Sequence, residues 1–330
     1  MALPDDGEPD QLEVPPEPLL RLTDRQRDLL AAAVDIERRD AAEVGSRGYS
    51  ARLWAQVALP YRDPGDLREW VRQNGDVRLL INPGIVDQPD GSYKRLYPYG
   101  VMPRLLLTWL ATQATLQKTP DIEVGDTLRA FLTNLGLPDT GNYRKRLNDQ
   151  LQRLFTTTMV VTEFRRDADA AATRYRGSTL SVADNWELWW STKDTADQMP
   201  LWQSSITLSE KFYLSIVSDS IPVDLRALGA LRAKGGGGLA IDIYTWLAHR
   251  MSYLRASTRI PWAMLELQFG SQYTRSRDFK SEFLKQLAAV KLVYPEVKAS
   301  PYEHGLLLSP SPTPIKALET RWRNGRTASS

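Results

Sequence analysis

The stretch from Pro98 to Phe155, PYGVMPRLLLTWLATQATLQKTPDIEVGDTLRAFLTNLGLPDTGNYRKRLNDQLQRLF, carries three helical patterns in succession, and the third is basic. Leu105, Leu106, Trp109 and Leu110 fall on one stripe behind Pro103, which suits the first helical position because its missing N–H would be unpaired there anyway. Asp126 or Gly125 is expected to cap a second helix carrying Leu128, Phe131, Leu132 and Leu135, which stops at Gly136 with Pro138 beyond. Thr140 can cap the third. At 100° per residue, Tyr143, Leu147, Leu151 and Leu154 then turn inward, while Asn142, Lys145, Arg146, Asp149 and Gln152 point outward. A recognition helix needs an outward face of that kind.

After the third helix come TTTMVVTEF, the polar stretch RRDADAAATRYRG and STLSVADNWELWW, which read as two strands joined by a long basic loop. Helix, helix, basic helix, strand, wing and strand is the order of a winged helix, which lays its third helix in the major groove of duplex DNA. The same elements also build small α+β cores with no nucleic-acid role.

The pattern repeats beyond a polar stretch at 191–204, read as a linker. Pro222 to Leu231 gives a short helix, Leu239 to Leu254 a long one, Trp262 to Phe269 a third and Ser276 to Val290 a fourth. KLVYPEV with GLLLSPS closes as a hairpin. In the fourth helix Phe279, Phe283, Leu287 and Val290 face inward, and Arg277, Asp278, Ser281 and Lys285 face out. FLTNLGLPDTGNYRKRLNDQLQRL and LELQFGSQYTRSRDFKSEFLKQL share an apolar helix ending in Gly, a polar turn with Tyr, an Arg-rich start and a Gln-rich helix. Two winged helices in tandem would read two successive stretches of groove.

Upstream, Thr23 and Asp24 open a helix expected to run to about Ala42, and ARLWAQVALP forms a short helix or turn. DVRLLINPGIV and SYKRLYPYG read as two strands around QPDG. The expected organisation is a disordered acidic leader at 1–20, an N-terminal helix at 21–48 and a first winged-helix domain with its hairpin at 49–190. A linker at 191–204, a second winged-helix domain at 205–312 and a basic tail at 313–330 complete it. The fold class is α+β and mostly helical.

Several of these blocks, taken in order, resemble the RepA-type plasmid replication initiators. They are PYGVMPRLLLTWLATQA, VGDTLRAFLTNLGL, TGNYRKRLNDQLQRL, LAIDIYTWLAHR and IPWAMLELQFG, and the similarity runs from about Tyr49 to Pro312. The resemblance implies a protein that binds repeated sites in a plasmid origin as duplex DNA, opens the origin locally and helps load the host's replication machinery. It further implies a host initiator and replicative helicase as partners and a homodimer as one state of the chain. Two positions depart from the family pattern: Asn142 stands where a second glycine is expected after Gly141, and LRAKGGGG replaces a short serine-proline junction.

Charge distribution agrees with a polyanion partner. The chain of 330 residues has a formal net charge of only +2, but Asp5, Asp6, Glu8, Asp10, Glu13 and Glu17 lie in residues 1–20 without a Lys or Arg. The other 310 residues therefore carry +8. An acidic leader is usually a solvated tail; this one could also shield the basic face by mimicking phosphate. With no cysteine there is no thiolate metal site, which fits a reducing bacterial cytoplasm, and no run of about 18 apolar residues suggests a membrane span.

Catalytic readings are weak. His249 and His304 are too few to form the clustered metal site of a nicking enzyme, and KGGGG at 234–238 lacks the Gly-Lys-Ser/Thr of a phosphate loop. Asp242 in LAIDIYTW reads as a hydrogen-bond anchor rather than a general base. Trp109, Trp246 and Trp262 lie in apolar stripes and read as core, whereas Trp189, Trp190 and Trp202 are open to an exposed or junction role. The chain is thus read as a non-enzymatic DNA-binding initiator without cofactor or metal. The alternative is a tandem winged-helix repressor, autorepression included, that leaves the duplex closed. The DNA-contacting set is expected to be Asn142, Lys145 and Arg146 in the first domain, with Arg277 and Ser281 in the second. Arg275, Lys280 and Lys285 are expected on the backbone.

Overall fold

The computed structural model describes residues 23–88, 90–125, 127–167, 172–188, 204–232, 237–270 and 273–315. Outside them lie the acidic leader, Asp126, Trp189, Trp190, Trp202, all of the expected linker but Ser204, Lys234 to Gly236, and the tail beyond residue 315.

In chain order the elements are α1 (Asp24–Arg38), β1 (Arg47–Ala51), α2 (Arg52–Gln56), β2 (Trp70–Asn74), β3 (Val77–Asn82), β4 (Gly84–Asp87) and β5 (Tyr93–Leu96). Next come α3 (Val101–Gln117), β6 (Asp121–Gly125), α4 (Leu128–Asn134), α5 (Gly141–Thr156), β7 (Thr158–Asp167), β8 (Ala172–Leu180) and β9 (Ala183–Glu187). Then follow β10 (Ser204–Leu208), α6 (Glu210–Ser218), β11 (Ser220–Asp224), α7 (Leu225–Leu231) and α8 (Gly237–Tyr253). The last are β12 (Thr258–Pro261), α9 (Trp262–Phe269), α10 (Ser276–Val293), β13 (Lys298–Tyr302) and β14 (Gly305–Ser309). The fold is mixed α and β, with more strand than a mostly helical reading allows.

One order occurs twice: helix, short strand, helix, helix and strand pair, as α3–β6–α4–α5–β7–β8 and again as α8–β12–α9–α10–β13–β14. A helix, strand and short helix precede each copy, as α1–β1–α2 and as α6–β11–α7. In the second copy β12 joins the hairpin, giving the order β12-β14-β13. The first copy departs from this. Its β6 pairs with β10 in a sheet ordered β6-β10-β9, while β7 and β8 extend a sheet ordered β2-β3-β7-β8.

Several expectations need correcting here. STLSVADNWELWW is not one strand: β8 ends at Leu180, and β9 crosses to pair with β10. Much of the expected loop RRDADAAATRYRG is ladder, since Phe164 pairs with Tyr175 and Arg165 with Arg174. DVRLLINPGIV is likewise two strands, β3 pairing with β2 and β7, and β4 pairing with β5 around the QPDG turn. α1 stops at Arg38, short of Ala42. Pro103 is the third residue of α3, where the backbone still requires no donor.

Apolar burial centres on α3 and α8. From Met102 to Thr112 every residue of α3 is buried, as is every residue of α8 from Gly237 to Ala248. A helix apolar all round belongs inside a larger body, and these two pack on one another. Antiparallel pairing of β1 with β11 runs from Arg47↔Asp224 to Ala51↔Ser220 and stitches the halves together a second time. α2 packs on α8, α6 packs on α3, and α1 lies on α7 and α10.

A buried ion pair links the two central helices. The Arg104 guanidinium of α3 donates from Nε to Asp242 Oδ1 of α8 at 2.8 Å and from Nη2 to Oδ2 at 2.7 Å. Its other N–H groups reach the carbonyls of Leu59 at 2.8 Å, Gly100 at 2.6 Å and Pro60 at 3.2 Å. All five donors are used, and the Tyr61 ring covers the guanidinium with its centroid at 4.7 Å. Asp242 is thus the hydrogen-bond anchor its surroundings suggested. Removing one partner of such a pair strands the other in a dry site, at a cost of about 3–5 kcal/mol. We expect Arg104→Ala and Asp242→Ala each to lower unfolding free energy by about that much in urea titration, with the double substitution costing much less than the sum of the two.

Candidate nucleic-acid interface

Local sequence sets α5 on the surface. Thr127, not Gly125, caps α4, its hydroxyl accepting from Ala130 N–H at 3.1 Å. The helix ends in a double closure: Gly136 N–H donates to Thr133 O at 2.8 Å and Leu137 N–H to Leu132 O at 2.8 Å. This closure requires the left-handed backbone that Gly136 adopts, with φ +64°. Pro138 follows, and Thr140 caps α5 by accepting from Tyr143 N–H.

The cations of α5 divide into two groups. Arg144 is held across the turn by Asp139, with Nε and Nη2 on the two carboxylate oxygens at 2.6 and 2.9 Å. Arg153 is buried, bonded to Asp149, to Asp63 and to the carbonyl of Tyr97. Asn142, Lys145 and Arg146 are exposed. Helical geometry separates the last two. Lys145 lines a shallow pocket with Lys94, Gln88, Asn148 and Gln152, whereas Arg146, about 100° further round the helix, lines a cleft to which α10 also contributes.

α10 presents the matching set. Phe279, Phe283, Leu287 and Val290 are buried, as the apolar spacing requires. Arg275 precedes the helix and donates to Asp278 Oδ2 at 2.7 Å, and Arg277 lies 3.8 Å from Oδ1 of the same carboxylate. Both arginine side chains are largely exposed, at 67 % and 79 %. Ser281 is exposed, and Lys285 reaches Glu282 at 3.5 Å. Lys280 differs: it is half-buried, with its ammonium 5.1 Å from the Trp262 ring centre. That contact makes it partly a packing residue.

Of these eight residues, only Arg146 and Lys285 line a common cavity, a cleft of about 1190 Å³ to which α5 and α10 contribute along with α1, α3, α7 and α8. Tyr143, Tyr61 and Tyr273 also line it, as do Arg62, Arg226 and Arg232, which no local pattern in the sequence marked. Asp28 and Ala31 of α1 form part of its wall. Arg226 is committed elsewhere, to Asp224, to Asp35 and to the carbonyls of Asp35 and Arg39. Arg174 and Arg176 of β8 add exposed positive charge beyond the cleft.

Among the described residues no group of three potential ligands could hold a metal ion. Gly237 and Gly238 begin α8 in tight packing: a Cβ at the first would lie 2.7 Å from Arg232 O, and one at the second 3.1 Å from Tyr61. Trp109 and Trp246 are buried, and Trp262 is half-buried against Phe283. Among the described residues no helix is long and apolar enough to cross a membrane.

Residues 97–263, just over half of the chain, match the family described as plasmid encoded RepA protein. The chain belongs to that family. Two crystal structures of domains 2 and 3 of RctB, one of them a selenomethionine derivative, are similar at 12 % and 13 % identity. Their TM-scores are 0.49 and 0.44, covering 80 % and 78 % of this chain and 98 % and 94 % of theirs. No curated protein matches.

His249, away from the cleft, is the group whose titration should be visible. Burial chiefly, then Arg52 and Arg250 against the opposing Asp219, lowers it from 6.5 to about 4. The folded protein then binds fewer protons than the unfolded chain below pH 6.5, so this contribution is complete above about 6.5 and is lost as pH falls toward 4. We expect the melting temperature to fall over that window, and to fall less steeply in His249→Gln, measured by calorimetry. Parallel slopes would show that His249 is not held neutral by the fold.

Proposed function

We propose that the protein initiates plasmid replication by binding repeated duplex sites in an origin through two winged helices in tandem. The proposal includes local opening of the origin and delivery of host replication proteins. The expected divisions at 49–190 and 205–312 serve in this reading as the two reading units. Family membership supports the replication role. The observation that carries the geometry is that α5 and α10 hold equivalent places in a repeated unit and present Arg146 and Lys285 to one cleft. Two third helices joined through one rigid centre suit recognition of one continuous stretch of duplex.

Roles within the interface follow from exposure. Arg277 and Ser281 on α10, and Asn142, Lys145 and Arg146 on α5, are the groups proposed to approach base edges. Arg275 and Lys285 are proposed to hold phosphates, with Lys280 a weaker contributor because it leans on Trp262. No cofactor and no catalytic group enters this reading, which has the protein acting in the cytoplasm as monomer or homodimer.

Affinity for the cognate repeat should fall with salt by about 0.9 log unit per log unit of salt for each phosphate neutralised. Replacing Arg277 by Ala should cost about 1–3 kcal/mol on the cognate repeat and much less on random duplex, as read by fluorescence anisotropy. Lys285→Ala should weaken both alike. If Arg277→Ala leaves affinity and specificity intact in a folded protein, α10 is not a reading helix. Permanganate reactivity of an adjacent AT-rich segment on binding separates an initiator from a repressor, which would leave that duplex closed.

A further inference from the structure

We infer that residues 1–20 dock against the cleft between α5 and α10 when DNA is absent, and that duplex DNA displaces them. The inference rests on the proposed DNA-binding reading and assigns that same surface a second, intramolecular occupant.

Three observations carry it. First, the chain enters the fold beside α10. Thr23, the first described residue, caps α1 through a reciprocal pair with Gln26. Two residues on, Arg25 donates to Gln286 of α10 at 2.6 Å. Second, α1 forms a wall of the cleft through Asp28, so whatever precedes Thr23 starts near the rim. Third, the charges match. Residues 1–20 carry six carboxylates and no cation, while Arg146 of α5 and Lys285 of α10 line the cleft and Arg275 and Arg277 stand largely exposed at the start of α10.

Reach is sufficient. The 22 residues before Thr23 span at most ~75 Å when extended. The 18 residues of α10 are only about 27 Å long, so the segment can cover that helix and cross to Arg146. Tethering makes the contact intramolecular, at an effective concentration on the order of millimolar, so weak ion pairs suffice to occupy the site. Asp28, Asp278 and Glu282 already stand in the cleft, which limits how tightly a carboxylate-rich segment can be held. A contact of that strength would discourage random duplex, which binds by charge alone, and yield to a cognate repeat, which adds base contacts.

Three chains test this: the full chain, the chain lacking residues 1–20, and the full chain with the six carboxylates replaced (Asp5→Asn, Asp6→Asn, Glu8→Gln, Asp10→Asn, Glu13→Gln, Glu17→Gln). Both altered chains should bind random duplex about five- to tenfold tighter than the full chain at 50 mM salt, and the gap should close at high salt. Because the chain has no cysteine, spin labels at Gln11→Cys and Ala288→Cys give a second readout independent of DNA affinity. Electron–electron distances should be short and narrow in the free protein, and longer and broader with duplex or high salt.

A broad distribution in the free protein overturns the docking, even if the altered chains bind more tightly, since net charge alone would then explain the gain. Equal affinities in all three chains overturn the competition. A short distance in a protein that binds no duplex in any form would uphold the docking and remove the DNA-binding reading instead.

Discussion

The buried pair of Arg104 with Asp242 is the constraint around which the two halves are arranged. Moving two ions out of water costs several kcal/mol each, and only near-ideal geometry with every polar atom satisfied offsets that cost. Here both carboxylate oxygens accept from one guanidinium, and three backbone carbonyls accept the remaining donors. Burial raises the Asp242 carboxyl while Arg104 opposes it, and the bidentate geometry is that of the ionised pair. Such a joint tolerates little sliding of α3 against α8. Because α5 packs on α3 and α10 packs on α8, the relative placement of the two basic helices depends on it.

Other contacts close the arrangement unequally. β1 and β11 pair across the joint, but α1 and α6, which precede them, do not pack equivalently. α6 leans on α3, whereas α1 crosses to α7 and α10. Arg226 holds α1 in that place by donating to Asp35, whose carboxyl is kept below the ordinary range first by Arg39 and then by Arg226. The second half is thus flanked by the N-terminal helix. The first half has β2 through β5 instead, so two copies of one plan offer different borders to whatever enters the cleft.

Legibility in the sequence followed the range of the interactions. Helices were readable because their signals lie within a turn or two: the stripe of Phe279, Phe283, Leu287 and Val290, the cap at Thr140, and the stop at Gly136. The short strands β6 and β12 were not, because four or five residues are too few for their alternation alone to mark a strand, which forms only by pairing with partners far along the chain. Leu180 to Ala183 shows the same limit, since nothing local says that β9 leaves β8 to join β10. The partner of Asp242 lies 138 residues away. A nearer signal did exist: Thr108-Trp109-Leu110-Ala111 and Thr245-Trp246-Leu247-Ala248 are the same tetrapeptide on α3 and α8, which marks the two as equivalent helices.

Counting cations on a helix does not by itself identify a binding face. α5 carries Arg144, Lys145 and Arg146 in one run and Arg153 two turns on, yet the first and last of these spend their donors on Asp139, Asp149, Asp63 and a carbonyl. Those arginines stiffen the helix and tie it to the body. What remains for a ligand is set by angle. Consecutive residues on a helix diverge by about 100°, so Lys145 turns toward the β4–β5 side while Arg146 turns toward α10. A duplex lying along the cleft would meet Arg146 and Lys285 together and leave Lys145 to a flank. The cleft, more than the total charge of the basic run, therefore brings Arg146 and Lys285 together as the pair on which the proposed interface rests.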